Sequence, residues 1–135
     1  NRESLENLKS IANEWLMIQH HLLNVGGELS MPDTTLVDGE ILTKIEALIE
    51  HYNEQLPPLK EIILPGGSLL VAQTHLIRAF ARKVERALWE LNSAETLNPN
   101  SIKLLNRLSD YFFVIARTLA KLSETDEVPW QKDVL

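Results

Sequence analysis

At 135 residues, with 44% hydrophobic and 24% charged side chains, the chain has the composition of an ordinary globular domain large enough for a sizeable core. It contains no cysteine, which removes disulfides, thiolate nucleophiles and cysteine-ligated metals from consideration. A formal net charge of −6 argues against a general nucleic-acid binder, and no apolar run approaches the ~20 residues that a membrane helix needs. The expectation is a cytoplasmic protein folded as one domain over residues 1–135, with no nucleic-acid or membrane partner. The chain opens on Asn1 and nothing near it reads as a signal peptide, so further residues upstream are expected.

Glycine and proline are sparse and divide the chain into long segments with apolar spacings of three and four. In the first segment Leu5, Leu8, Ala12, Trp15, Ile18, Leu22, Val25 and Leu29 form one stripe, which predicts an amphipathic helix of roughly 25 residues. That helix passes through Gly26-Gly27, where each glycine costs about 1 kcal/mol relative to alanine, so close packing or a bend is expected there. A second helix is predicted from about Asp38 to Leu56, with Ile41, Ile45, Leu48, Ile49 and Tyr52 on one face and Pro57-Pro58 as its stop. KEIIL (60–64) is the one strand-like run, and it is short. A third helix follows the LPGGS turn (64–68), with Ser68 as its N-cap, and reaches about Leu91. The fourth has the clearest start, Asn98 at the N-cap and Pro99 at the first helical position, and continues to about Ser123. Its apolar stripe is Ile102, Leu105, Leu108, Phe112, Ile115, Leu119 and Leu122. The predicted architecture is an all-α, up-down bundle of four long helices, with a fifth if sequence precedes Asn1.

The third segment carries the most unusual charge pattern. Between Gln73 and Trp89 lie Arg78, Arg82, Lys83 and Arg86 against Glu85 alone, and the three arginines repeat at i, i+4 and i+8 along one face. Like charges at that spacing repel, so they call for a solvated face, for salt bridges to the acidic helices, or for a polyanion such as triphosphate held by guanidinium forks. LPGGS is an ordinary turn when taken alone, although a glycine pair entering a helix can also bring backbone N–H groups to an anion. In NRLSDYFFVIAR (106–117), Asn106, Asp110, Phe113 and Arg117 share a face, which suits either a buried polar network or a mixed polar and apolar ligand wall. His20, His21, His51 and His75 lack the spacing of a metal site and read as surface or satisfied core histidines. Neither a P-loop, nor a GxGxxG, nor a nucleophile elbow occurs.

The blocks IQHHLLNVGGELS, IILPGGS, THLIRAFARKVERAL, LNRLSDYFFVIAR and WQKDVL, in this order, resemble the PduO-type ATP:cob(I)alamin adenosyltransferases, also called corrinoid adenosyltransferases, from about Trp15 to Leu135. The resemblance implies a ferritin-like five-helix bundle assembled as a homotrimer, with sites between subunits. It implies transfer of the 5′-deoxyadenosyl group of ATP to cob(I)alamin, with ATP, Mg²⁺ and cobalamin as ligands and a flavoprotein-type reductase supplying electrons. Reduced cobalt is itself the nucleophile, so the protein has to supply positioning, a clamp for the departing triphosphate and an apolar wall under the corrin.

Carried over position by position, the resemblance makes Arg82 the main triphosphate ligand, supported by Lys83 and Arg86, and Asn106 a nucleotide contact. Arg82 and Asn106 are the residues expected to act directly in the transfer. Glu85 joins the same polar cluster, with Mg²⁺ near it, and Arg78 matches an arginine of the ATP side that also makes an intersubunit salt bridge. Ile62, Phe113, Val134 and Leu135 match the cobalamin side. This sequence departs from the family in lacking its TKxGDxGxT phosphate-wrapping segment and the Asp-Glu-Leu helix after it. It also has Lys83 in place of an arginine, Ala79 in place of a threonine, and Ile62 and Leu135 in place of aromatic residues. Two further readings fit the same residues: a non-catalytic corrinoid- or nucleotide-binding homologue, and a helical interaction module whose arginine face meets an acidic partner.

Overall fold

The computed structural model describes residues 2–59, 68–123 and 130–133; Ile62, Val134, Leu135, the KEIIL run and LPGG up to Gly67 lie outside the described residues. Four helices account for most of what is described: α1 (Arg2–Ser30), α2 (Gly39–Glu54), α3 (Leu69–Ala94) and α4 (Pro99–Leu122). The predicted caps Ser68 and Asn98 are in place, and Asp38 caps α2 as well. Asp38 accepts from the Glu40 amide, Ser68 from the Val71 amide and Asn98 from the Asn100 amide, each satisfying a donor that has no partner inside its own helix. The first helix runs unbroken through Gly26-Gly27. Of the two glycines, only Gly27 is closely approached: a Cβ there would sit 3.1 Å from Leu36 Cδ1, whereas one at Gly26 would meet nothing. The expected close packing therefore belongs to Gly27, and no bend is needed to explain the pair. The third helix continues to Ala94, three residues beyond its expected end, and closes where the Glu95 amide donates to the Leu91 carbonyl.

Side-chain pairs fix the helix directions. Glu14 on α1 meets Tyr111 of α4, and Glu28 meets Asn98 and Ser101, so α1 and α4 run antiparallel. Glu46 on α2 meets Arg107, and Pro57 beyond α2 meets Arg117, so α2 runs with α4. Glu85 and Arg78 on α3 meet Asn106 and Phe113, so α3 opposes α4. The result is the up-down order expected of short connections, with α4 as the element that the other three share.

That position explains the burial of α4. Every residue from Val114 to Ala120 is buried, although the run includes Arg117 and Thr118. One stripe was expected, but a helix packed on several sides buries nearly its whole circumference. The two polar residues within it are satisfied. Thr118 Oγ1 donates to the Val114 carbonyl at 2.9 Å, and Arg117 Nη2 donates to the Pro57 carbonyl at 2.9 Å. One turn further on, Lys121 Nζ donates to the Gln55 carbonyl at 2.8 Å, so α4 places two cations at the C-terminal end of α2, where unsatisfied carbonyls collect.

Two carboxylates on α1 tie it to the rest. Glu14 accepts from the Tyr52 hydroxyl of α2 and the Tyr111 hydroxyl of α4, both at 2.6 Å. Beside it the Trp15 ring meets Phe112 edge-on, with centroids 5.6 Å apart. Near the other end, Glu28 accepts from the Leu36 and Val37 amides, from Asn98 Nδ2 and from the Ser101 hydroxyl. Burial alone would raise the Glu28 pKa, but these bonds to the charged form outweigh it and hold the carboxyl below its usual range. Burial, reinforced by Glu14, pushes both phenols well above the ordinary tyrosine value of 10.0.

These two phenols are the only tyrosines in the chain, which makes them a clean probe. A group with a raised folded-state pKa contributes stability in full below its unfolded value and loses it as pH rises past that value. Stability is therefore expected to decline above about pH 10, the ordinary phenol value. In an absorbance titration, no tyrosinate is expected near pH 10 in the folded protein, and all of it is expected to appear together with the loss of helical circular dichroism. Ordinary titration of either phenol in the folded state would contradict the burial described. Glu14→Ala strands two buried hydroxyls and is expected to cost about 3 kcal/mol, read as a Tm lower by roughly 10 °C. Replacing both tyrosines by Phe in the Glu14→Ala background is expected to recover part of that loss.

Candidate functional site

The residues expected to form the site lie on α3 and α4: Arg78, Arg82, Lys83, Glu85 and Arg86 on α3, and Asn106, Asp110 and Phe113 on α4. The antiparallel register sets Glu85 opposite Asn106, with Nδ2 of Asn106 at 3.5 and 3.4 Å from the two carboxylate oxygens. Both contacts are at the outer limit of a hydrogen bond, so neither group is fully engaged.

Two turns toward the N-terminal end of α3, Arg78 lies over the Phe113 ring, its guanidinium carbon 5.0 Å from the centroid. His75, buried one turn further along, faces the same ring at 6.2 Å. Burial lowers the Arg78 pKa, the neighbouring Arg82 charge lowers it further, and Asp110 partly offsets both. Arginine begins so high that it keeps its charge regardless. Phe113 thus meets both a cation and a buried imidazole from α3, and its half-buried ring lies beside the arginine row.

The basic cluster itself is exposed. Arg82, Lys83 and Arg86 form no salt bridge among the described residues. Of the two structural compensations open to this charge row, salt bridges to acidic helices are not made there, and the row faces solvent. Three cations left without counter-charges beside a weakly engaged Asn106–Glu85 pair are suited to receiving an anion with several charged oxygens.

Not every residue of the NRLSDYFFVIAR face points into this site. Asn106, Asp110 and Phe113 turn toward α3, whereas Arg117 turns to Pro57 and serves the junction of α2 with the connection that follows. The buried-network reading of that face therefore holds at Arg117, while Asn106, Asp110 and Phe113 line the α3 side. Arg107 had no expected role, yet its guanidinium bonds both Glu46 and Asn106. Its place directly after Asn106 was the only signal, and adjacent helix residues do not normally face each other. No group of three or more metal-ligating side chains occurs among the described residues.

An apolar groove runs between α1 and α3, lined by Trp15, Ile18, Leu22, Ile77, Phe80 and Val84 and floored by α4. Phe80 is 54% exposed within it. No helix among the described residues is long and apolar enough to cross a membrane.

Known proteins are similar to this chain over most of its length. A cobalamin adenosyltransferase from Cupriavidus metallidurans is 47% identical over 118 residues, covering 87% of this chain and 64% of that protein. A corrinoid adenosyltransferase from Bacillus subtilis is 34% identical over 131 residues, covering 94% and 67%. The human corrinoid adenosyltransferase is 36% identical over 134 residues, covering 92% and 53%. The chain thus spans roughly half to two thirds of the length of these curated relatives.

Among solved structures, a variant of a PduO-type ATP:corrinoid adenosyltransferase from Lactobacillus reuteri, complexed with cobalamin and ATP, superposes with a TM-score of 0.85 at 31% identity, covering 94% of this chain and 73% of that one. A second variant of that protein, complexed with ATP, superposes at 0.84 with 29% identity, covering 91% and 72%. Residues 2–119 match the cobalamin adenosyltransferase family as a whole, across all four helices and the α3–α4 surface just described, and the chain belongs to that family.

Proposed function

We propose that this protein is an ATP:cob(I)alamin adenosyltransferase that moves the 5′-deoxyadenosyl group of ATP onto cob(I)alamin and releases triphosphate. The observation that carries the reading is the exposed Arg82, Lys83 and Arg86 cluster, which forms no salt bridge among the described residues, beside Asn106 and Glu85, in a chain similar to a Lactobacillus reuteri protein whose variants hold cobalamin and ATP, or ATP. In this reaction the cobalt nucleophile attacks C5′ of ATP, the C5′–O bond breaks, and its electron pair leaves with the triphosphate. The negative charge that develops on the departing oxygens is what Arg82, Lys83 and Arg86 are suited to stabilise, Arg82 foremost from the middle of the row. Asn106 orients the nucleotide. The Glu85 carboxylate, engaged only by long contacts, keeps lone pairs for a Mg²⁺ ion arriving with ATP, and such an ion supplies charge neutralisation at the phosphates.

Phe113 contributes to the apolar wall on the cobalamin side, stiffened by Arg78 and His75. The resemblance assigns Ile62, Val134 and Leu135 to that same wall. A homotrimer with sites between subunits, a flavoprotein-type reductase as electron donor and a cytoplasmic setting complete the proposal. Trimer formation is supported by the apolar groove between α1 and α3, whose exposed Phe80 and Val84 are of the kind that association covers.

The direct test is conversion of cob(I)alamin to adenosylcobalamin by the purified protein with ATP and Mg²⁺, followed by absorbance. Product formation with stoichiometric triphosphate is expected; cobalamin binding without product would favour a non-catalytic corrinoid-binding homologue. Arg82→Ala is expected to keep the folded helical spectrum and lower kcat/KM for ATP at least tenfold, because a charge-assisted bond contributes about 1.5–3 kcal/mol and ~1.4 kcal/mol is a decade. Unchanged ATP dependence in that variant would remove Arg82 from the clamp.

A further inference from the structure

Asn106 has two chemically different ends that are nearly identical in shape, so its neighbours decide which way the amide faces. On one side lies the Arg107 guanidinium, whose Nη1 donates to Asn106 Oδ1 at 2.8 Å. On the other lies the Glu85 carboxylate, which can only accept. A guanidinium has no acceptor and a carboxylate no donor, so both neighbours demand the same orientation: oxygen toward Arg107, NH₂ toward Glu85.

The contact with Arg107 is unusual in itself. Successive helix residues point about 100° apart and do not ordinarily meet. Arg107 reaches back because its Nε is anchored to Glu46 Oε1 of α2 at 2.7 Å. The two bonds use separate nitrogens of one rigid fork, which a lysine cannot reproduce. As a stabilising device the link is weak. Its partners are 33% and 52% exposed, and exposed pairs contribute about 0–1 kcal/mol. What it does achieve is to fill the acceptor end of Asn106 while leaving the donor end on long contacts of 3.4 and 3.5 Å, ready to be exchanged for a better acceptor.

We infer that Arg107, braced by Glu46, is a positioning residue for the nucleotide site: it locks the Asn106 amide so that its N–H groups face an acceptor oxygen or ring nitrogen of the bound nucleotide. The inference rests on the adenosyltransferase reading and adds to it a direction: Asn106 meets ATP as a donor. A residue on the neighbouring helix α2, Glu46, thereby acts on ATP affinity without touching ATP.

The test combines equilibrium MgATP binding by calorimetry with steady-state kinetics on the full chain. Asn106→Ala is expected to weaken MgATP binding about tenfold. Arg107→Met is expected to weaken it about fivefold and to raise KM for ATP, while KM for cob(I)alamin stays within twofold. Arg107→Lys keeps a charge for Glu46, so its Tm is expected to stay near the wild-type value, yet its ATP defect should match that of Arg107→Met. The double variant Asn106→Ala/Arg107→Met is expected to bind MgATP no worse than Asn106→Ala alone, because both changes remove the same contact. Wild-type affinity in Arg107→Met or in Asn106→Ala would overturn the inference, as would full rescue by Lys or multiplication of the two defects in the double variant. A wild-type chain that binds no MgATP would instead overturn the functional reading itself, and the positioning role with it.

Discussion

Glu14 is the constraint on which the arrangement of this bundle most depends. Its carboxylate receives the hydroxyls of Tyr52 and Tyr111 and so joins α1, α2 and α4 at one point. Tyr111 is fully buried and Tyr52 nearly so, which makes each hydroxyl costly to leave unmet. Satisfying both with one acceptor fixes the rotation of α4 about its axis and its height relative to α1. Tyr111 lies on the same helix as Asn106, Asp110 and Phe113, so the rotation that satisfies its hydroxyl also turns those three toward α3. The site is set by a network on the opposite side of the helix that bears it.

The division of labour among charges follows from burial. Two acidic groups on α1, Glu14 and Glu28, are spent on structure, each accepting hydrogen bonds from other elements. Arg82, Lys83 and Arg86 on α3 are left facing solvent and form no salt bridge among the described residues. A chain with an acidic net charge could have neutralised this row, and its own glutamates stand one and four residues away at Glu85 and Glu90. Keeping the row open raises the repulsion between neighbouring arginines in the free protein, and an incoming polyanion relieves it. Part of the binding free energy at such a site comes from this relief rather than from the new bonds themselves.

Much of the fold was legible because local signals and tertiary structure agree. Asn98-Pro99, Ser68 and Asp38 begin their helices as their side-chain chemistry dictates, and the apolar spacing of α2 and α4 predicted which faces turn inward, whereas on α1 only Ile18 and Val25 of the expected stripe are buried and Leu5, Leu8, Leu22 and Leu29 are exposed. The charge row of α3 was legible too, since a helix converts a spacing of four into a stripe. What was hidden depends on pairs far apart in sequence. Glu14 and Tyr111, or Glu28 and Ser101, read as ordinary surface acids and unremarkable hydroxyls until the helices are docked. Arg117 shares the register of Asn106, Asp110 and Phe113, which left its role open, and the Pro57 carbonyl, far away in sequence, decides for the buried network. Arg107 was invisible because helix geometry says that it should not meet Asn106; Glu46, on another helix, supplies the exception.

Asn98 shows how such docking narrows evolutionary choice. As an isolated N-cap, asparagine is nearly interchangeable with aspartate or serine. Here its Oδ1 caps α4 through the Asn100 amide, while its Nδ2 donates to both Glu28 and the Val37 carbonyl. Aspartate would keep the cap but set a second carboxylate against Glu28 and a lone pair against a carbonyl, and serine is too short to serve both directions. A substitution that is neutral by helix chemistry becomes forbidden by the neighbourhood, so drift at this position is coupled to drift at Glu28, and one cannot change before the other without crossing a less stable intermediate.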